Sequence, residues 1–281
     1  MNKLEIKNQK NPSLKGIKDG NQVFGTAEWA SRTVNYISGC SHDCKYCYAK
    51  SMAIRFKRKA PRTWKIEEVN LKKLNNSFKK KNGYTMFPSS HDITPENLDY
   101  SLEFLERLLN DGHQVLVVTK PHLLVVETIC DKFAAYKNSI LFRFTIGSCN
   151  SKILKFWEPG APSFEERLTA LQHAHSLGFK TSVSAEPAID TNTEKLIETL
   201  LPIVTDAIWI GLPNRLKGIL KLNGANDPET LERADALLKA QSDDWVRELY
   251  YNYKDNPKIK WKDSIKKIIG IERPTLAGLD I

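Results

Sequence analysis

No apolar run in these 281 residues is long enough to cross a bilayer: the longest, such as Val115–Val118 and Ala207–Leu212, fall far short of the ~20 residues a spanning helix needs. The opening segment, MNKLEIKNQKNPSLKG, is polar and lacks the apolar core of a secretory signal, so the cytoplasm is the expected compartment. Low-complexity tracts and solenoid-type repeats are missing too, which leaves an ordinary globular chain. Cysteines are few. There are five, an odd number, with three packed into eight positions, and that is not the pattern of a disulfide framework; it reads as metal ligation.

What is present is conventional in bulk. Hydrophobic residues at 41% and charged residues at 27% match soluble proteins, and the length suits one large α/β domain. Lysine and arginine outnumber acids 42 to 33, giving a formal charge of +9 that favours a polyanionic partner such as nucleic acid. Much of the excess lies in two tracts, Arg55–Arg62 and Lys72–Lys81. Such tracts are commonly solvated helix faces, and only clustering in three dimensions decides between that and a binding surface.

Short β-branched or aromatic runs alternate with segments of helical period. Six strands are expected, over Thr33–Ser38, Tyr84–Ser89, Gln114–Lys120, Ser139–Ile146, Lys180–Glu186 and Ala207–Leu212. Helices are expected over Pro95–Asn110, behind Thr94 as cap, over Ser163–Leu177, which opens with Ser-Phe-Glu-Glu and closes at Gly178, and over Pro228–Lys239 after a loop. Nearly all-apolar strands alternating with helices indicate a parallel sheet covered by helices, and six units indicate a partial (β/α)6 barrel. The expected division is an N-terminal extension over 1–30, the barrel over 31–215 and a helical C-terminal cap over 216–281.

Cys40, Cys44 and Cys47 follow the first strand directly, on the loop rim where parallel barrels carry their chemistry. Gaps of three and two residues let three thiolates converge on one centre with a fourth coordination position free. A structural zinc site would need a fourth ligand, and His42 is too near in sequence to serve easily; zinc remains the alternative. Cys-x3-Cys-x2-Cys with an aromatic residue, here Tyr46, before the last cysteine resembles the signature of the radical S-adenosylmethionine (radical SAM) superfamily. That resemblance implies a [4Fe–4S] cluster on the three thiolates and S-adenosylmethionine (SAM) chelated to its unique iron. One electron from an external donor of flavodoxin or ferredoxin type would then yield a 5′-deoxyadenosyl radical.

The likeness goes further. Val118-Thr119-Lys120, Phe142–Ile146, Glu158-Pro159-Gly160 and Ser163-Phe164-x-x-Arg167-Leu168 occur in order, as in spore photoproduct lyase and the DNA repair photolyase-like proteins, over roughly Thr33 to Ile189. The resemblance implies that Lys120 holds the SAM carboxylate and that Thr145 has a polar role nearby. A snorkelling rim lysine and a packed β-former are the bland readings of these two. Glu186, an acid at a strand end, needs a partner if buried: the SAM ribose or amino group, or a salt bridge to Arg143. Asp92 falls in the segment where the lyase carries its hydrogen-donating cysteine. This chain has Ser89 and Ser90 there, so the hydrogen would come from Cys149, on the same rim, from a tyrosine, or back from deoxyadenosine; a plain loop cysteine is the bland reading of Cys149.

The expected activity is hydrogen abstraction from a nucleic acid or nucleotide-like substrate. A peptide or small metabolite is the competing enzyme reading, although a cysteine-rich extension of the multi-cluster peptide-maturing kind is lacking. A zinc- or cluster-bearing nucleic-acid-binding protein without catalysis is a third. His91, His113, His122, His173 and His175 are expected at the surface rather than in a second metal site. The aromatic residues Trp245, Tyr250, Tyr251, Tyr253 and Trp261 are expected to pack the tail against the barrel, with base stacking or radical relay as the alternative.

Overall fold

The structure, a computed structural model, describes residues 22–23, 25–80 and 82–278. In chain order the strands among these are β1 (Arg32–Thr33), β2 (Ile37–Ser38), β3 (Glu68–Val69), β4 (Tyr84–Phe87), β5 (Gln114–Thr119), β6 (Ile140–Thr145), β7 (Lys180–Ala185), β8 (Ile208–Ile210) and β9 (Ile259–Trp261). Seven of them form one sheet in the order β1-β4-β5-β6-β7-β8-β9, every neighbouring pair parallel. Because that order never reverses, right-handed crossovers place the connecting helices on one face, and the other face curls inward. The result is an open partial barrel. β2 and β3 form a separate antiparallel pair.

Alternation along the strands sorts the side chains. Val115, Val117, Phe142, Phe144, Val183, Ile208 and Ile210 face the helices and join the main core, with Phe104, Ile129, Leu171 and Leu196. The intervening Met86, Leu116, Leu141 and Trp209 face the lumen, where Trp29 and Ala30 close its floor. Strands buried on both faces are what the near-continuous apolar runs foretold.

Helices form where caps and apolar period coincide. Phe164–Ser176 starts behind Ser163, whose Oγ accepts the Glu166 N–H at 3.3 Å, and ends at Gly178 with φ +77°. Leu98–Asn110 buries Leu102, Leu105, Leu108 and Leu109. Pro228–Ala240 is capped by Asp227. Among the described residues no helix is long and apolar enough to cross a membrane.

Two departures from the sequence reading concern the first strand and the C-terminal part of the chain. Thr33–Ser38 is not one strand: Asn35 leaves the sheet line to bind the Ser89 and Ser90 N–H groups at 2.7 and 2.9 Å, so pairing with β4 stops and β2 pairs elsewhere. Within 216–281, otherwise mostly helical, Ile259–Trp261 adds a seventh strand beside β8. Most of the 1–30 extension lies outside the described residues. The C-terminal aromatics pack as expected where Tyr250 meets Trp261 at 5.4 Å, whereas Tyr251 is exposed.

Candidate cofactor site

The cysteine loop is pinned on four sides before any side-chain chemistry begins. Gly39, at φ +103°, lets the chain pass under the carbonyls of Trp64 and Ile66, where a Cβ would lie 2.7 and 2.4 Å from oxygen. Trp64 O then accepts the Cys40 N–H at 3.0 Å. From another side Gly160 N–H donates to His42 O at 3.0 Å, and a Cβ on Gly160 would sit 2.4 Å from Ser41 O. Trp157 O accepts the Lys45 N–H at 2.8 Å. Asn223, at the end of the helix Leu216–Asn223, donates from Nδ2 to the carbonyls of Lys45 and Cys47 at 2.9 and 3.0 Å.

The motif residues Glu158 and Arg167 explain the rigidity of this wall. Both are wholly buried; Arg167 pairs with the Glu158 carboxylate, donates to Pro162 O at 3.0 Å and reaches Thr145 O at 3.1 Å. The Tyr46 hydroxyl donates to the other Glu158 oxygen. The loop, the end of β6 and the helix Phe164–Ser176 are thus tied through two side chains.

Cys47 caps the helix Tyr48–Arg55, its Sγ accepting the Lys50 N–H at 3.3 Å, so the helix N-terminus favours a thiolate there. Cys40 and Cys44 are buried, and all three thiols are free of disulfides. Burial pushes Cys40 well above the ordinary thiol range, with Asp92 and the other two cysteines adding to it. Burial does the same at Cys44, against the pull of Lys120. At Cys47 burial wins over the Lys50 N–H and Lys120.

Lys120, just past β5, supplies the compensating charge. Burial pulls its ammonium down, yet Cys44, Asp92, Tyr46 and Glu158 together hold it well above the usual lysine value. Asp92 is likewise opposed by burial but held well below the carboxylate range by Lys120 and His42. It accepts from Thr119 Oγ1 at 2.8 Å and from His42 Nδ1 at 3.0 Å, and its Oδ2 is 3.9 Å from Cys40 Sγ. His42 Nε2 lies 3.0 Å from His122 Nε2, so one of these two ring nitrogens donates to the other. His122 Nδ1 in turn lies 3.5 Å from Glu166. Ligand atoms of Cys40, His42 and Asp92 fall within 4.8 Å of one another.

The donor set fits an iron–sulfur cluster: three free cysteines on one loop, two of them buried, beside the largely buried Lys120 ammonium, with Gly39 and Gly160 letting that loop pack directly on neighbouring backbone. Ligation would drive off three thiol protons, and the Lys120 charge opposes their return.

The sequence matches the Radical SAM superfamily over residues 34–201. This chain belongs to the radical SAM superfamily. Its members are enzymes that use a [4Fe–4S] cluster and S-adenosylmethionine. Among curated proteins it is similar to the uncharacterized protein ORF301 of Acidianus two-tailed virus, 26% identical over 212 residues that cover 70% of this chain and 69% of that one. It is also similar to the uncharacterized protein MJ0683 of Methanocaldococcus jannaschii, 27% identical over 161 residues, or 57% of this chain and 61% of that protein. Two mutant forms of spore photoproduct lyase share the fold at TM-scores of 0.56 and 0.55, each 17% identical. The first match covers 87% of this chain and 80% of the lyase; the second, a complex with dinucleoside spore photoproduct, covers 85% and 78%.

Tyr46 and the three cysteines lie near enough to Lys120 for its charge to act on each of them. Thr145 and Glu186 lie at the C-terminal ends of β6 and β7, in register on the lumen side with Ser184. Glu186 does not pair with Arg143. Burial raises its carboxyl and Lys262, 3.6 Å away, opposes that; Arg143 instead reaches down to Asp206 at 3.2 Å between Trp29 and Trp209. Cys149 is not brought to the cysteine loop. It packs on the outer core beside Thr199, Asp190 and Lys195, and burial raises its thiol.

The expectation of surface histidines fails for His91 and His113, both buried. His113 is satisfied by Thr85 Oγ1 and Phe78 O, each at 3.1 Å, and His91 packs on Tyr36 and Phe87. Sequence reasoning gave no site role to Glu158, Arg167, Asn223 or His42. For the first two the signal existed, since a glutamate and an arginine inside family motifs beside apolar neighbours must find each other or pay for burial.

Proposed function

We propose that Cys40, Cys44 and Cys47 hold the [4Fe–4S] cluster, that SAM binds over it at the lumen mouth, and that the enzyme abstracts hydrogen from a nucleic acid or nucleotide-like substrate. The observation that carries the reading is the position of Cys40, Cys44 and Cys47 beside the Lys120–Asp92 pair at the C-terminal end of the strands. When bound, the cluster and SAM supply a 5′-deoxyadenosyl radical.

The chain's own part is positioning and exclusion of water. Lys120 offers an ammonium to the SAM carboxylate, with Asp92 fixing its backbone and side chain. Thr145 and Glu186 face the same lumen and offer a hydroxyl and a carboxylate to the ribose or amino group. Tyr46, anchored on Glu158, holds the last cysteine turn. Buried His42 and Trp64 flank the loop and keep bulk water from the thiols.

The nucleic-acid part rests on fold likeness to a lyase solved with a dinucleoside photoproduct and on the +9 charge. Ser89 and Ser90 stand, held by Asn35, where a thiol would be needed for thiol-quenched dimer repair. With Cys149 facing the outer core as well, we read the reaction as modification, with hydrogen returned from another source.

The test is anaerobic reconstitution with iron and sulfide, reduction by dithionite in the presence of SAM, and quantification of 5′-deoxyadenosine in wild type and Cys44→Ala. Deoxyadenosine from the wild type alone, enhanced by DNA or tRNA in a salt-sensitive manner, supports both parts of the proposal. Enhancement by neutral small molecules only would remove the nucleic-acid part. A fully assembled cluster that gives no deoxyadenosine under any condition would remove the catalytic part.

A further inference from the structure

The basic tract that the sequence left undecided lies against the back of the cysteine loop. From Arg55 to Ile66 there are six basic residues and no acid: Arg55, Lys57, Arg58, Lys59, Arg62 and Lys65. Lys59 turns in to Glu68 at 2.6 Å and to Ile66 O at 3.0 Å. The other five are exposed, and among the described residues none of them has an ion-pair partner. They surround apolar side chains that a solvated face would not display: Phe56 and Ile66 are 58% and 56% exposed, and the guanidinium groups of Arg55 and Arg58 lie 6.0 and 5.7 Å from the Phe56 ring. Two open hollows of about 540 and 400 Å³ meet at Pro61, one edged by Lys57, Arg58 and Ile66, the other by Arg62 and Lys65.

This segment touches the loop through its backbone. Trp64 O accepts the Cys40 N–H at 3.0 Å, and the Trp64 ring packs with Ala53 against Cys40 and Cys47. Cys40 Sγ, by contrast, approaches Asp92. A substrate must enter by the lumen, where Lys120, Thr145 and Glu186 lie. A surface behind the loop is badly placed for substrate and well placed for an electron.

We propose that this surface docks an acidic one-electron carrier protein of the flavodoxin or ferredoxin class, and that the electron travels through the Trp64–Cys40 contact. The proposal rests on the assignment of the three thiols to a cluster. One electron leaves the reduced carrier and one arrives at the cysteine-bound centre; no bond is made or broken. Unpaired cations steer an acidic partner and make its association salt-dependent, and the exposed Phe56 and Ile66 supply a small apolar contact of the size that transient redox encounters use. A nucleic acid on the same cations is the competing occupant, disfavoured because it would lie on the wrong side of the loop.

The experiment compares full-length wild type with two charge reversals, Arg55→Glu/Lys57→Glu/Arg58→Glu and Arg62→Glu/Lys65→Glu. Binding of oxidised flavodoxin to the cluster-free protein is titrated at low and physiological salt. Reduction of the reconstituted protein by reduced flavodoxin is followed by anaerobic stopped-flow absorbance, with dithionite as a reductant that needs no docking. Both variants are expected to bind flavodoxin about 10-fold more weakly or worse, to be reduced by it correspondingly slowly, and to keep wild-type dithionite rates. Wild-type flavodoxin binding and reduction in both variants would overturn the proposal, as would equal losses with dithionite. Loss of single-stranded DNA or tRNA affinity with flavodoxin reduction intact would assign the surface to nucleic acid instead. Failure of the wild type to take up iron would sink the cluster assignment, while the binding titration still reports on the surface.

Discussion

Asp92 holds Lys120 at both ends: its Oδ1 accepts the backbone N–H at 2.7 Å, and its Oδ2 lies 3.7 Å from Nζ. Each keeps the other ionised in a place where burial alone would neutralise both. The pair therefore presents a charged donor of fixed position at the mouth of the lumen.

Lys120→Met is expected to weaken SAM binding about 10- to 100-fold, the worth of one hydrogen bond to a charged group, with iron uptake retained. Asp92→Asn should act in the same direction but less, because it loosens the ammonium without removing it. Calorimetric titration of the reconstituted proteins with SAM measures both. Unchanged affinity in Lys120→Met would reduce this residue to a packed rim lysine.

Glu158 carries the pH dependence of the fold. Burial pushes its carboxyl up, but Arg167 and Lys120, with the Tyr46 hydroxyl, bring it below its ordinary 4.5. A carboxyl depressed in the folded state contributes stability that is fully present above the unfolded value and lost as pH falls through the folded one. Urea midpoints of the cluster-free wild type should therefore drop on acidification below about pH 4.5, and Glu158→Gln should show a shallower acid slope. At neutral pH the variant leaves Arg167 buried without a counter-charge, at a cost of about 3–5 kcal/mol. Wild-type stability in Glu158→Gln at neutral pH would contradict the pairing.

Cys149→Ser is expected to leave deoxyadenosine formation and substrate turnover at wild-type levels, since the thiol packs beside Thr199 on the outer core. A product-radical signal that accumulates in the variant, detected by freeze-quench paramagnetic resonance, would restore it as hydrogen donor.

The periodic parts of the molecule were legible in the sequence, and the pairings were not. β4 to β8 announced themselves because each is a short run of strand-forming residues followed by a segment of helical period. β9 did not, because three residues, Ile259-Lys260-Trp261, are too short to show a period in a lysine-rich tail. Thr33–Ser38 looked continuous because Asn35 is a single polar residue among strand formers, and its loop-binding role is visible only with Ser89 and Ser90 beside it. The cysteines were legible as candidate metal ligands from their spacing, and as candidate cluster ligands only through the family resemblance. Their supports were not, since Asn223 meets Cys47 across a separation of 176 residues, which no local pattern encodes.

Gly160 offers the sharpest separation of loop geometry from general stability. Its missing side chain admits the backbone of Ser41 and His42, and a methyl group would meet Ser41 O at 2.4 Å and His42 Cα at 2.9 Å. Backbone moves there only by pulling against the ties of Cys40 to Trp64 and Lys45 to Trp157 on either side. Gly160→Ala is expected to cost about 1–3 kcal/mol and to displace the turn between Cys40 and Cys44, so that iron and sulfide content after reconstitution falls well below half of wild type. Gly178→Ala is the control. It places a Cβ at φ +77° at the end of the helix Phe164–Ser176, with Lys137 Nζ at 3.7 Å as its nearest contact, and costs about 1–2 kcal/mol through backbone strain alone. Its iron content should equal that of wild type. Equal iron loss in the two variants would mean that cluster assembly follows overall stability, and the close contact at Gly160 would then have no special bearing on the cysteine loop.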